Sequence, residues 1–108
     1  MKMSKKYAIV FSINEDILPR QVTPNNGRTF DLSEIFDLLN VPKNVNDLDR
    51  IEIFGGALYL NPENKIFNRS ASEFWFNNSP HFDRDYLTGT VLFIPKPQDV
   101  YQGRDQII

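Results

Sequence analysis

Apolar and polar residues alternate in several short stretches of the chain, a period of two that is typical of β-strands. The stretches 5–14 and 87–95 carry apolar side chains on both faces, which predicts two strands in the middle of a sheet. A shorter stretch, 20–23, is expected to pair back on the first strand across a turn region. We therefore predict three strands of one sheet, two of them central.

Residues 49–61 carry the clearest local signal, two alternating stretches on either side of Gly55-Gly56. Glycine adopts the positive φ angles that a two-residue hairpin loop requires, so we predict a hairpin that turns at these two residues. One face of the hairpin is expected to belong to the core and is wholly aliphatic: Ile51, Ile53, Leu58 and Leu60. The other, outer face is amphipathic and includes Phe54 and Tyr59, whose exposure would favour a homodimer.

Residues 29–42 show apolar positions at helical spacing, which predicts an α-helix. Asp31 is the expected N-cap, with Glu34 three residues later as its reciprocal partner in a capping box. Asn40 and Pro42 supply the stop.

A second Ser-x-x-Glu pattern, Ser70 to Glu73, predicts a short helix over 71–77. Together these elements indicate an α+β fold of two layers, a mixed or antiparallel sheet of four or five strands with two helices packed on one face. We expect one domain over residues 1–95 and a C-terminal tail over 96–108.

Composition narrows the function classes. The chain has 108 residues, a formal net charge of −2 and no cysteine, which excludes disulfides, thiolate catalysis and cysteine-bound zinc. Its basic N-terminus lacks a signal-peptide pattern, and no apolar run approaches the length that spans a bilayer, so we expect a cytoplasmic protein without a membrane partner. The acidic balance disfavours nucleic acid as a partner.

Enzyme signatures are nearly absent from the sequence. His81 is the single histidine, and neither Ser79 nor Asp83 beside it indicates the geometry of a catalytic triad. No glycine-rich phosphate loop is present, and the acidic residues lack the order of a calcium loop. We therefore expect a protein that is not an enzyme and that uses neither a metal nor a cofactor.

The stretch 70–86 is unusually rich in aromatic residues, beginning with Phe74, Trp75 and Phe76 in a row. Whether helical or extended, one surface of one element cannot bury three consecutive rings. Either two rings enter the core and the third packs under a loop, or at least one ring stands at a binding surface. The binding residues expected in the second case are Arg69, Trp75, His81, Phe82, Arg84 and Tyr86.

Three segments of the chain, DLSEIFDLLN, LYLNPENKIFNRSASEF and LTGTVLFI, follow a recognisable pattern, within which Asn68-Arg69, Ser70-Ala71 and Gly89 occupy matching positions. Through these segments, residues 7–95 resemble a family of small proteins of unknown function that bacteriophages and related mobile elements carry. The chain departs from the family pattern after the first helix, where Asn40-Val41-Pro42 replaces a glycine pair. The resemblance implies a phage protein and brings no activity with it.

These observations favour a non-enzymatic binding protein that inhibits or sequesters a host defence factor through an aromatic–arginine surface. A host protein is the expected partner. The alternative is a nucleotide or cyclic-nucleotide sponge, with a pocket between subunits in which aromatic rings stack the base and Arg69 or Arg84 meets phosphate.

Overall fold

The computed structural model describes residues 6–42, 47–79 and 84–96. Within these ranges the chain forms one antiparallel sheet of five strands in the order β2-β1-β5-β4-β3, with two helices. The α+β class, the antiparallel sheet and the two helices confirm the prediction. The elements in chain order are β1 (Ala8–Phe11), β2 (Arg20–Val22), α1 (Leu32–Leu38), β3 (Asp49–Ile53), β4 (Gly56–Leu60), α2 (Arg69–Asn78) and β5 (Val91–Pro95).

The two helices lie on opposite faces of the sheet, not on the same face as expected. Ile35 of α1 packs in one buried cluster with Val10 and Leu92, whereas Trp75 of α2 packs in another with Phe11. Because neighbouring residues of a strand point to opposite faces, these two clusters are separated by the sheet. The physical reason was already visible in β1 and β5, whose apolar residues on both faces each require a cover.

Helix α1 begins and ends as predicted. The side chain of Asp31 accepts a hydrogen bond from the backbone N–H of Glu34, and the side chain of Glu34 accepts one from the backbone N–H of Asp31. At the other end Asn40 has a φ of 56°. The backbone N–H of Asn40 donates to the carbonyl oxygen of Asp37, and that of Val41 donates to the carbonyl oxygen of Phe36. This is a Schellman ending with asparagine in the left-handed position.

The hairpin forms with its faces as predicted but turns one residue earlier. Ile53 pairs with Gly56, so the two loop residues are Phe54 and Gly55, and only Gly55 has a positive φ, 87°. Gly56 lies in β4 against β5, where a Cβ would collide with the carbonyl oxygen of Ile94 and the Cα of Pro95, so this strand position requires glycine. The shift moves each pairing by two residues and therefore leaves every side chain on its face.

The outer face of the hairpin is covered on β4 and open at the loop. Tyr59 is buried in the α1-side cluster, and its hydroxyl accepts a hydrogen bond from Nε of Arg50 at 3.1 Å. Phe54 is 63% exposed. The homodimer expectation required both rings to be exposed, and only Phe54 meets that condition.

Candidate functional site

Helix α2 is divided lengthwise into a core stripe and an outer stripe. Ala71 and Trp75 are buried and face the sheet, four residues apart. Arg69, Glu73 and Phe76, spaced by four and three residues, are exposed on the other side of the helix. The outer stripe of α2 forms one wall of the candidate site.

The three consecutive aromatic residues take three different positions. Trp75 is 1% exposed, so it belongs to the core and adds almost no surface to the predicted binding site, although it is among the residues that line the groove described below. Phe74 is half-buried, with its ring centroid 5.0 Å from those of both Phe11 and Phe93. Phe76 is 62% exposed. The expectation that one element cannot bury all three rings is thus met, with two rings packed inward and one at the surface.

The position of α2 depends on Asn68, which is fully buried. Its side-chain oxygen accepts a hydrogen bond from the N–H of Ala71 and so caps the helix. Its side-chain nitrogen donates to the carbonyl oxygens of Phe11 at 2.9 Å and Gly89 at 2.8 Å. Asn68, and not Ser70 as predicted, is therefore the N-cap, and it ties the start of α2 to β1 and to the segment before β5.

The opposite wall of the site is formed by two extended segments that lie side by side. One segment precedes α2 in the chain and the other precedes β5. The backbone N–H of Asn68 donates a hydrogen bond to the carbonyl oxygen of Leu87, and the backbone N–H of Gly89 donates one to the carbonyl oxygen of Ile66 at 2.7 Å. The hydroxyl of Ser72 on α2 accepts a hydrogen bond from the N–H of Leu87 at 2.8 Å. These bonds fix both segments to each other and to the helix.

The two segments present a pair of aromatic rings beside α2. The centroids of Phe67 and Tyr86 are 5.5 Å apart with an interplanar angle of 87°, an edge-to-face contact. Phe67 is 49% exposed and Tyr86 is 51% exposed. Both rings therefore have surface available to a ligand while their contact with each other restricts their rotation.

Between these walls runs an open groove of about 580 Å³. Arg69 lies in it between two carboxylates, with nitrogen–oxygen distances of 3.7 Å to Glu15 and 3.3 Å to Glu73. Asp85 is a third carboxylate on the groove. Among the described lining residues, the three carboxylates and the one guanidinium leave a formal excess of two negative charges. We call this site the aromatic groove; its exposed rings are Phe67, Phe76 and Tyr86.

The structure brings together only part of the predicted binding set. Arg69, Trp75 and Tyr86 line the aromatic groove, and Trp75 is nevertheless almost wholly buried. Arg84 does not line it; its guanidinium lies 3.5 Å from the carboxylate of Asp49 at the start of β3. His81 and Phe82 lie outside the described residues.

The predicted set lacked Phe67, Phe76 and the acidic side of the groove. Phe76 could have been found from the sequence, because once α2 starts after Asn68 the stripe containing Arg69 also contains Glu73 and Phe76. Phe67 and Glu15 could not, since each reaches the groove through contacts between segments distant in sequence.

In the described parts of the chain, no group of three or more histidine, cysteine, aspartate or glutamate side chains is placed to hold a metal ion. Neither α1 nor α2 is long and apolar enough to cross a membrane. Within those same ranges, the groove offers rings, carboxylates and one guanidinium, which are groups suited to binding.

Comparisons of the chain with models of protein families, with curated proteins and with solved structures found no significant match. The resemblance to a phage-borne family therefore stays a prediction.

Proposed function

We propose that this chain is a non-enzymatic binding protein whose aromatic groove holds a segment of a partner protein. The observation that carries the proposal is the convergence of Phe67, Phe76 and Tyr86, each about half exposed or more, on one groove. Single exposed apolar side chains are ordinary on protein surfaces, but contiguous ones mark binding sites. Aromatic residues are also enriched where interfaces concentrate their binding energy.

The rigidity of the groove supports the same proposal. Phe67 and Tyr86 belong to segments joined by backbone hydrogen bonds, and both segments are bonded to buried Asn68 or to Ser72. Side chains that are already ordered lose little entropy when a partner binds. A segment of a partner protein could therefore bind in the groove without a large rearrangement of its walls.

In the wider form of the proposal the chain is phage-encoded and its partner is a host defence factor that it inhibits or sequesters. This form rests on the family resemblance and on the sparse enzyme signatures of the sequence. The groove itself supports only the narrower statement that a protein segment binds there.

The charges of the groove disfavour the nucleotide alternative. Arg69, one of the two arginines predicted to meet phosphate, is already paired with Glu15 and Glu73, and Asp85 adds a further negative charge. A phosphate group would have to displace these carboxylates and would be repelled by them. Phe67 and Tyr86 also contact edge to face, so they do not form a parallel slot for a base.

Affinity purification with paired variants tests the proposal. Tagged wild-type protein is expected to retain a partner from a bacterial host lysate, and the double variant Phe67→Ser, Tyr86→Ser is expected to lose most of it. The control is Leu32→Ser, because Leu32 is similarly exposed at 52% but lies on α1, on the opposite face of the sheet. Thermal unfolding of each variant checks that the fold is retained.

Two results would contradict the proposal. One is undiminished recovery of the partner by the folded double variant. The other is equal loss of the partner by the double variant and by Leu32→Ser, since that loss would not be specific to the groove.

A further inference from the structure

From the charges around the aromatic groove we infer the chemistry of its occupant: a peptide segment that carries a lysine or arginine next to an apolar residue. The inference rests on the proposed function and deepens it, because it states which class of segment the groove selects. It excludes acidic and phosphorylated segments as preferred ligands.

The acidic side chains of the groove are accessible to a partner. The side chain of Glu15 is 61% exposed and that of Glu73 is 65% exposed, even though both approach Arg69. One guanidinium shared between two exposed carboxylates leaves acceptor positions on both of them. Asp85, also exposed, brings a third carboxylate to the same groove.

The excess negative charge is local. The described lining of the groove carries a formal excess of two negative charges, which equals the net charge of the whole 108-residue chain. The remaining residues therefore sum to a formal charge of zero, so the groove is more negative than the rest of the chain taken together. Complementary charges of this kind determine partner choice and orientation more than they determine total affinity.

The exposed rings add a second reason for a cationic residue. Lysine and arginine stack over aromatic faces through cation–π contacts, and their aliphatic stems cover apolar surface while the charged end reaches a carboxylate. The rings of Phe67, Phe76 and Tyr86 line the same groove as the carboxylates of Glu73 and Asp85. A neighbouring apolar residue of the segment would occupy the remaining ring surface.

Selection from a random-peptide display library on immobilised full-length protein tests the inference. We expect the selected peptides to be enriched in lysine or arginine beside an apolar residue. The affinity of the best synthetic peptide should fall about two- to fivefold in Glu73→Gln and in Asp85→Asn, as for a single exposed charge pair. It should also fall as salt is added, because exposed charges are screened.

Glu52→Gln is the matched control. The side chain of Glu52 is 66% exposed and, like that of Glu73, lies close to an arginine, in this case Arg50 at 3.7 Å. Glu52 pairs with Ala57 on the α1 face of the sheet, away from α2. Its substitution should leave the affinity for the peptide unchanged.

The outcomes separate the inference from the proposed function. Selected peptides that contain no lysine or arginine, and that no longer bind the Phe76→Ser variant of the protein, would overturn the inference and leave the proposed function standing. Acidic peptides whose binding depends on Arg69 would overturn the inference as well. A selection that yields no peptide dependent on Phe76 would overturn both.

Discussion

At the scale of single residues, the structure depends most on Asn68, because one buried side chain satisfies three backbone groups. Asn68→Ala leaves two buried carbonyl oxygens without that donor and removes the helix cap. Each loss costs about 1–3 kcal/mol, so we expect the free energy of unfolding to fall by roughly 3 kcal/mol or more. Urea denaturation measures this change.

Asn68→Asp separates the two roles of this side chain. Aspartate keeps the acceptor for the N–H of Ala71 but directs oxygen at the carbonyl groups of Phe11 and Gly89, so it should destabilise at least as much as alanine. The exposed Asn77→Ala on the same helix serves as the control, with a change within about 0.5 kcal/mol. If Asn68→Ala also changed stability by less than 1 kcal/mol, the role assigned to Asn68 would be wrong.

The adjacent glycines of the hairpin should respond differently to substitution. Gly55 has a positive φ and no atom within 4 Å of an added Cβ, so Gly55→Ala costs about 1–2 kcal/mol and Gly55→Asn less. Gly56→Ala brings its Cβ against the backbone of Ile94 and Pro95, and overpacking should cost about 1–3 kcal/mol or more. Asparagine at position 56 should be worse than alanine. Equal tolerance of asparagine at both positions in thermal unfolding would contradict the observed turn.

At the scale of elements, α1 has only seven residues and depends on its ends. Glu34 accepts hydrogen bonds from the backbone N–H groups of both Asp31 and Asn25. Glu34→Gln replaces one of the two acceptor oxygens by a donor and should lower the free energy of unfolding by about 1–2 kcal/mol. Asp37→Asn, an exposed change on the same helix, should have little effect. Similar urea midpoints for these two variants would contradict the role given to Glu34.

The elements that the sequence predicted well are those whose signals are local. The cap of α1 joins Asp31 to Glu34, and its ending uses Asn40, all within a few residues. The cap of α2 was misassigned to Ser70 because the second role of Asn68, toward Phe11 and Gly89, joins residues 57 and 21 positions apart. The hairpin loop lies one residue earlier than predicted for the same reason. Glycine is required at position 56 by the neighbouring strand β5, which is distant in sequence, and not by the loop.

At the scale of the whole molecule, the sheet separates two sides, each covered by its own helix. Each side has a buried cluster under one helix, and the α2 side also carries the aromatic groove. The sequence indicated a surplus of aromatic residues and left open whether Trp75 belongs to the core or to a binding surface; the structure places it in the core. The groove could be identified only from the structure, because Glu15, Phe67 and Tyr86 come from separate segments of the chain.

The most direct test of groove binding compares two phenylalanines of equal exposure. Phe76 is 62% exposed in the groove, and Phe54 is 63% exposed at the hairpin loop and does not line it. In titration calorimetry with the purified partner, Phe76→Ser should raise the dissociation constant about thirtyfold or more, the effect of a hot-spot side chain worth 2 kcal/mol. Phe54→Ser should leave it within about twofold. Equal dissociation constants for the two folded variants would contradict binding at the groove.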